Sequence, residues 1–72
     1  MQALIAKYKI SLEKTSHWIK PELGEIAKQL SAMSVYSGVP VYVVYAYYLD
    51  RYPEIEESYK KLLKFYQLEE LD

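Results

Sequence analysis

The residues that could carry chemistry are few. The chain has 72 residues, one His, no Cys and nine Tyr, with 9 Lys+Arg against 10 Asp+Glu. Without Cys, disulfide scaffolds, Cys-ligated zinc and thiol catalysis are excluded. A lone His17 does not make a histidine metal site. The densest carboxylates are Glu54, Glu56 and Glu57. A catalytic pair needs burial to drive its two pKa values apart, and these acids share a helix with Lys60, Lys61 and Lys64, which marks a solvated face. There is no nucleophile–base pair, no Gly-rich phosphate loop and no metal-ligand spacing. No enzymatic activity, cofactor or metal is expected.

Lysine and tyrosine remain. In the first twenty residues Lys7, Lys9, Lys14 and Lys20 oppose only Glu13. From Ser37 onward, Arg51, Lys60, Lys61 and Lys64 oppose seven acids. A net charge of -1 thus hides a basic start and an acidic end. The basic start suits phosphate contacts, and it equally suits an ordinary charged surface. Tyr42, Tyr45, Tyr47, Tyr48 and Tyr52 could stack bases, but that mode wants interleaved Lys or Arg and only Arg51 is near. Tyrosines at this density more often build a core or an interface, burying the ring and keeping a polar end. The His17–Trp18 pair reads as a half-buried anchor.

The elements that must position these residues are mostly helical. Pro53 suits a first helical turn, acids precede bases, and Ile55, Tyr59, Leu62 and Tyr66 form one stripe, so the pattern predicts a helix over 53–68. Glu56–Lys60 and Glu57–Lys61 are i,i+4 pairs in the favourable order. Leu23, Ile26, Ala27, Leu30, Met33 and Ser34 keep a 3.6 period, which predicts a helix over 21–37 stopped by Gly38. Val39 to Leu49 is β-branched and aromatic, which favours a strand, but Pro40 argues for a helix start and a helix is expected. Such a helix would bury Val39, Val43, Val44, Tyr47 and Tyr48. Residues 4–12 fit both patterns. As a helix, Leu4, Ile5, Tyr8 and Leu12 share a face and Ile10 falls opposite; as a strand, Tyr8, Ile10 and Leu12 alternate with Lys7, Lys9 and Ser11. Thr15 or Ser16 would cap a short turn carrying His17, Trp18 and Ile19. The acidic tail 69–72 is expected to fray.

A chain this short makes one domain, residues 1–72, and buries only about 60 % of the surface its unfolded form exposes. The N-terminus lacks a basic start and a cleavage pattern, so it is not a signal peptide. The longest apolar run, Val39 to Leu49, falls well short of the ~20 residues that span a bilayer. A cytoplasmic protein without a membrane partner is expected.

The stretch Met33 to Leu49 resembles the helix-turn-helix of bacterial repressors, especially the lac repressor family. The matching features are a small residue at Ser34, the turn Gly38, Val39 after it, and Val44 six residues beyond the Gly. A small residue lets two helices approach, Gly turns the chain, and the valines pin the second helix to the first. A second register, with Ala27 as the small residue and Ser31 at the turn, fits almost as well. In the first register the resemblance implies a recognition helix presenting Pro40, Val41, Tyr42, Tyr45 and Ala46 to the major groove. None of these can make a bidentate contact to guanine or adenine; valine and alanine could touch thymine methyls and tyrosine hydroxyls could reach phosphates. Lys7-Tyr-Lys-Ile-Ser-Leu12 followed by a long helix also resembles a ribbon-helix-helix repressor. That likeness would place Lys7, Lys9 and Ser11 on a strand facing the bases.

The expected fold is mainly α, a bundle of three or four helices with a helix-turn-helix-like centre; a ribbon-helix-helix dimer is the alternative. The expected function is a small regulator of transcription or replication that binds double-stranded DNA as a homodimer. Its DNA contacts would come from Lys7, Lys9, Ser11, Lys20, Lys28 and residues 40–46. Tyr47, Tyr48, Tyr52, Tyr59 and Tyr66 would form the dimer or partner face, because the tyrosine surface exceeds what so small a core hides. The alternative is a helical protein-interaction or dimerisation module that binds a partner through that tyrosine-rich face.

Overall fold

The N-terminal segment is a helix. In a computed structural model that describes residues 2–68, α1 spans Gln2–Thr15. Leu12 and Thr15 are buried and Leu4, Ile5 and Tyr8 half-buried, a helical period, while Ile10 is left 72% exposed. There is no strand among the described residues, so the ribbon that the alternative fold needs is not formed. Lys7, Lys9 and Ser11 accordingly do not share one strand face. Burying Leu4, Ile5, Tyr8 and Leu12 on one side outweighs the local alternation of Tyr8 to Leu12. Thr15 caps nothing. Its Oγ1 donates back to the carbonyls of Ser11 (3.0 Å) and Leu12 (3.3 Å), and Ser16 Oγ donates to the Glu13 carbonyl (2.8 Å). A 3-10 turn, Ser16–Trp18, follows.

The helix expected over 21–37 is in two pieces. Pro21–Leu23 is a separate 3-10 turn, and α2 spans Ile26–Ser37. Between them Gly24 takes φ 70, ψ -171, a region almost closed to other residues, and Glu25 is left-handed at φ 51. The break turns Leu23 out to solvent, whereas Ile26, Leu30 and Met33 stay in the core. Gly38 ends α2 in the left-handed region (φ 78), with its N–H on the Ser34 carbonyl at 3.0 Å. Two serines then hold the turn. Ser34 Oγ donates to the Val39 carbonyl (2.6 Å), and the Val39 N–H donates to Ser37 Oγ (3.3 Å).

Helix α3, Val41–Tyr48, opens with the Val43 and Val44 amides bonded to the Pro40 carbonyl at 3.0 and 3.1 Å. Not one of its residues is exposed. Val43, Val44, Tyr45 and Tyr48 are buried, and α1, α2 and α4 all pack against it. Valine and tyrosine are mediocre helix formers, so α3 owes its form to this enclosure rather than to propensity. Its tyrosines are tied down as well as packed. Tyr48 donates its hydroxyl to the Leu12 carbonyl of α1 (3.2 Å). Tyr45 donates to the Ala27 carbonyl of α2 (2.7 Å), leaving its oxygen to accept from Ser31 Oγ (3.0 Å).

The last helix is shorter than the 53–68 pattern. Pro53–Ile55 is a 3-10 turn, and α4 spans Glu56–Phe65. Ile55, Tyr59 and Leu63 are buried. The helix stops because Gln67 turns left-handed (φ 56), the Gln67 N–H meets the Lys64 carbonyl (3.1 Å) and the Leu68 N–H meets the Leu63 carbonyl (2.8 Å). Tyr66 lies past that stop and is exposed. Of the two expected ion pairs, Glu56–Lys60 forms at 3.1 Å. The acidic tail 69–72 lies outside the described residues. No helix among the described residues is long and apolar enough to cross a membrane.

Burial pushes the Tyr48 hydroxyl from 10 up to about 12, with Tyr47 adding to the rise, the Arg51 guanidinium opposing it and Tyr52 adding again. The fold therefore favours the neutral phenol. That contribution is whole below pH 10 and is lost as pH climbs toward 12. Tyr48→Phe is expected to cost about 1 kcal/mol at pH 7, through the lost hydrogen bond. In urea titrations across pH, its deficit against the wild type should narrow between pH 10 and 12.

Candidate functional site

The residues expected to approach DNA differ in exposure. Lys7, Lys9, Lys20 and Lys28 are exposed and Ser11 is half-buried. Lys9 lies 4.0 Å from Glu13, Lys28 lies 3.4 Å from Glu25, and the Lys7 ammonium sits 5.4 Å above the Tyr8 ring. Pro40, Val41, Tyr42 and Ala46 are half-buried, packed against the core or its edge. Tyr45 is buried with its hydroxyl committed to Ala27, which removes it from any surface a groove could meet. Tyr42 stacks on Tyr66 of the α4 end, ring centroids 5.3 Å apart.

The tyrosines expected at a partner face divide in the same way. Tyr48 and Tyr59 are core residues of the monomer and cannot contact a partner. Tyr47 and Tyr52 are half-buried, packing at 5.0 and 6.1 Å on the Tyr48 ring. Only Tyr66 is exposed. The physical reason is the enclosure of α3: with neighbours on several sides, its tyrosines are used inside the fold.

An apolar surface forms elsewhere, on the outer side of α2. Val35 and Tyr36 are each 79% exposed and Trp18 is 43% exposed. The Trp18 and Tyr36 rings meet edge to face, centroids 6.5 Å apart and planes at 84°. They border an open groove of about 590 Å³ lined by Trp18, Gln29, Ala32, Met33 and Tyr36. Buried Met33 forms its soft floor. Neither the indole N–H of Trp18 nor the Tyr36 hydroxyl has a hydrogen-bond partner among the described residues. Both sit where a docked molecule would find an apolar body with a polar tip. Rings at right angles do not make a parallel clamp for a flat ligand; they make a corner that takes a bulky aliphatic or aromatic side chain. A second depression, about 420 Å³ among Glu57, Lys60, Lys61, Leu63 and Lys64, carries charges of both signs.

The chain matches no known family model, no curated protein and no solved structure. Its function must be argued from its own surface.

Gln29 builds the groove. Its Oε1 accepts the Lys20 N–H (2.6 Å), while its Nε2 donates to the carbonyls of Lys20 (3.1 Å) and Gly24 (2.6 Å). One side chain thereby clips the segment after Trp18 onto α2 and sets the groove's width. Sequence reasoning took Trp18 only as an anchor and passed over Gln29, Ala32, Val35 and Tyr36. The signal was present: with Ile26, Leu30 and Met33 facing inward, Val35 must lie on the opposite, nominally polar side of the helix, and Tyr36, three residues after Met33, at the flank of the buried face. Gln29→Ala should cost about 1–2 kcal/mol, three modest hydrogen bonds lost at a solvated site. Amide hydrogen exchange should accelerate at residues 20–24, and Trp18 emission should shift to the red as the indole loses its seat. Gln29→Glu, which can accept from Lys20 but repels both carbonyls, should do the same.

Proposed function

We infer that the protein is a helical interaction module whose working surface is the outer face of α2 with Trp18. The observation that carries this reading is the exposed edge-to-face pair of Trp18 and Tyr36 bordering an apolar groove, with Val35 exposed next to Tyr36 on α2. Scattered exposed hydrophobics need no explanation, but contiguous ones rimmed by polar residues mark a contact site. Trp and Tyr are also the side chains that dominate interface energetics, because they bury much area at small entropic cost.

The second reading, a small DNA-binding regulator, draws support from one local arrangement. Gly38 is left-handed and Val39 and Val44 are buried behind it, as in the resemblance to the repressor turn. Exposed Lys7, Lys9, Lys14 and Lys20 add basic charge. The reading is weakened by α3, which offers no exposed side chain to a groove.

Both readings are tested with two measurements. A photo-reactive p-benzoylphenylalanine in place of Tyr36, illuminated in cells producing the protein, should give a discrete covalent adduct; the same group in place of Glu57 should not. Absence of an adduct at position 36 refutes the interaction surface. In parallel, fluorescence anisotropy of a labelled duplex over a salt series should show no salt-sensitive binding. Binding that falls steeply with salt and is abolished by Lys7→Glu with Lys9→Glu would instead establish the regulator.

A further inference from the structure

Two consecutive residues ahead of α2 hold backbone conformations that side chains resist. Gly24 stands at φ 70, ψ -171, a region open in practice to glycine alone, and Glu25 follows at φ 51 in the left-handed region. Such conformations persist where surrounding contacts outweigh them. Around this pair the contacts are few. Of residues 16–25, Ile19 alone is buried. Gln29 holds the Lys20 and Gly24 backbones by three solvent-exposed hydrogen bonds, and Trp18 meets Tyr36 edge to face.

We propose that residues 16–25 form a strap that opens as one unit, swinging about Gly24 and Glu25 while the four helices stay packed. The helices do not depend on the strap for their places, since α1 and α2 each pack on α3 and on one another. The strap's backbone hydrogen bonds tie it mainly to itself. The Ile19 N–H meets the Ser16 carbonyl (3.3 Å), the Leu23 N–H the Lys20 carbonyl (2.9 Å) and the Gly24 N–H the Pro21 carbonyl (3.0 Å). The Lys20 N–H reaches α2 only through Gln29 Oε1. Opening also releases the left-handed Glu25, which lowers its cost. A segment with few buried contacts and exposed hydrogen bonds opens below the free energy of global unfolding.

Opening dismantles the groove. Trp18 and the Lys20–Gly24 backbone leave together, so the corner against Tyr36 is lost, the Gln29 amide is freed and the seat of Ile19 is uncovered. The groove is a property of the closed strap, and a molecule seated in it would hold the strap shut. This use as a gate rests on the interaction-module reading; the motion itself does not.

The test is native-state amide exchange of the whole chain at low urea. The Lys20, Leu23 and Gly24 amides should exchange ~100-fold faster than those of α3 and with little urea dependence, whereas α3 should follow global unfolding. Ile55→Val trims a fully buried side chain outside the strap. It weakens the open and closed forms equally, so α3 exchange should rise about 3-fold or more and strap exchange should stay unchanged. Gly24→Ala adds a Cβ that meets nothing within 4 Å, so its effect is on the backbone alone. Strap exchange should rise ~10-fold or more, and emission of Trp18, the single tryptophan, should move to the red with helix content retained. Glu25→Gly, at home in the left-handed region, should slow strap exchange about 3-fold. Strap amides that share the urea slope of α3, or that speed up with Ile55→Val, overturn the proposal, because the strap then opens only with the whole chain. So does strap exchange indifferent to both hinge variants. None of these readouts needs a partner. A missing photo-adduct at position 36 would end the interaction reading, and the gate with it, while leaving the motion; an adduct on a chain whose strap never opens alone would end the motion and keep the surface.

Discussion

Everything in this fold follows from the need to enclose α3. Eight residues, Val41–Tyr48, contain no charged side chain, and all of them are buried or half-buried. A helix apolar on every side cannot sit at a surface, so α1, α2 and α4 are arranged around it. The price is the hydrophobic material of the whole chain: Leu12 from α1, Ile26, Leu30 and Met33 from α2, and Ile55, Tyr59 and Leu63 from the last segment all go into the same cluster.

Two phenols make that enclosure specific. Apolar contact alone would let α3 rotate or slide. Tyr45 and Tyr48 are one turn apart and reach in different directions, to the Ala27 carbonyl and the Leu12 carbonyl. A helix tied to two neighbours by one buried and one partly buried hydrogen bond has one rotation and one height, because leaving either group unpaired costs more than the bond itself contributes. The turn ahead of α3 is fixed by the same economy of small polar groups. Ser34 and Ser37 satisfy both backbone groups of Val39 as the chain reverses. The outer face of α2 is what this inward commitment leaves behind. Its buried side holds Ile26, Leu30 and Met33, and its outer side leaves Val35 and Tyr36 exposed.

Much of this was legible in the sequence, and the parts that were not have identifiable causes. The Gly38 stop could be read, and Pro40 tipped the ambiguous run 39–49 toward the helix that forms over Val41–Tyr48. The N-terminal segment could not be settled by pattern, since helix and strand both bury Tyr8 and Leu12; only the fate of Ile10, exposed in the helix, distinguishes them. The break at Gly24 and Glu25 was hidden because periodicity continues across it. The Gln29 side chain bonds the Lys20 and Gly24 backbones across this break, a contact that a linear pattern does not display. For the tyrosines, sequence reports their amphipathic character but not their direction. Tyr48 and Tyr59 turned inward and Tyr66 outward, the last because α4 ends at Phe65. The groove between Trp18 and Tyr36 joins residues 18 positions apart, which nothing short of the folded chain brings together.

The segment from Val39 to Leu49 has a second identity that the fold suppresses. Released from its neighbours, a run of valines and tyrosines without charge is the composition from which cross-β stacks grow. Pro40 guards one end and Asp50 and Arg51 the other, but the interior has no such gatekeeper. The three surrounding helices therefore act as a sheath over an aggregation-prone strip. For this protein, unfolding is a hazard as well as a loss of structure. Opening of any of the helices packed against α3 would uncover part of the strip.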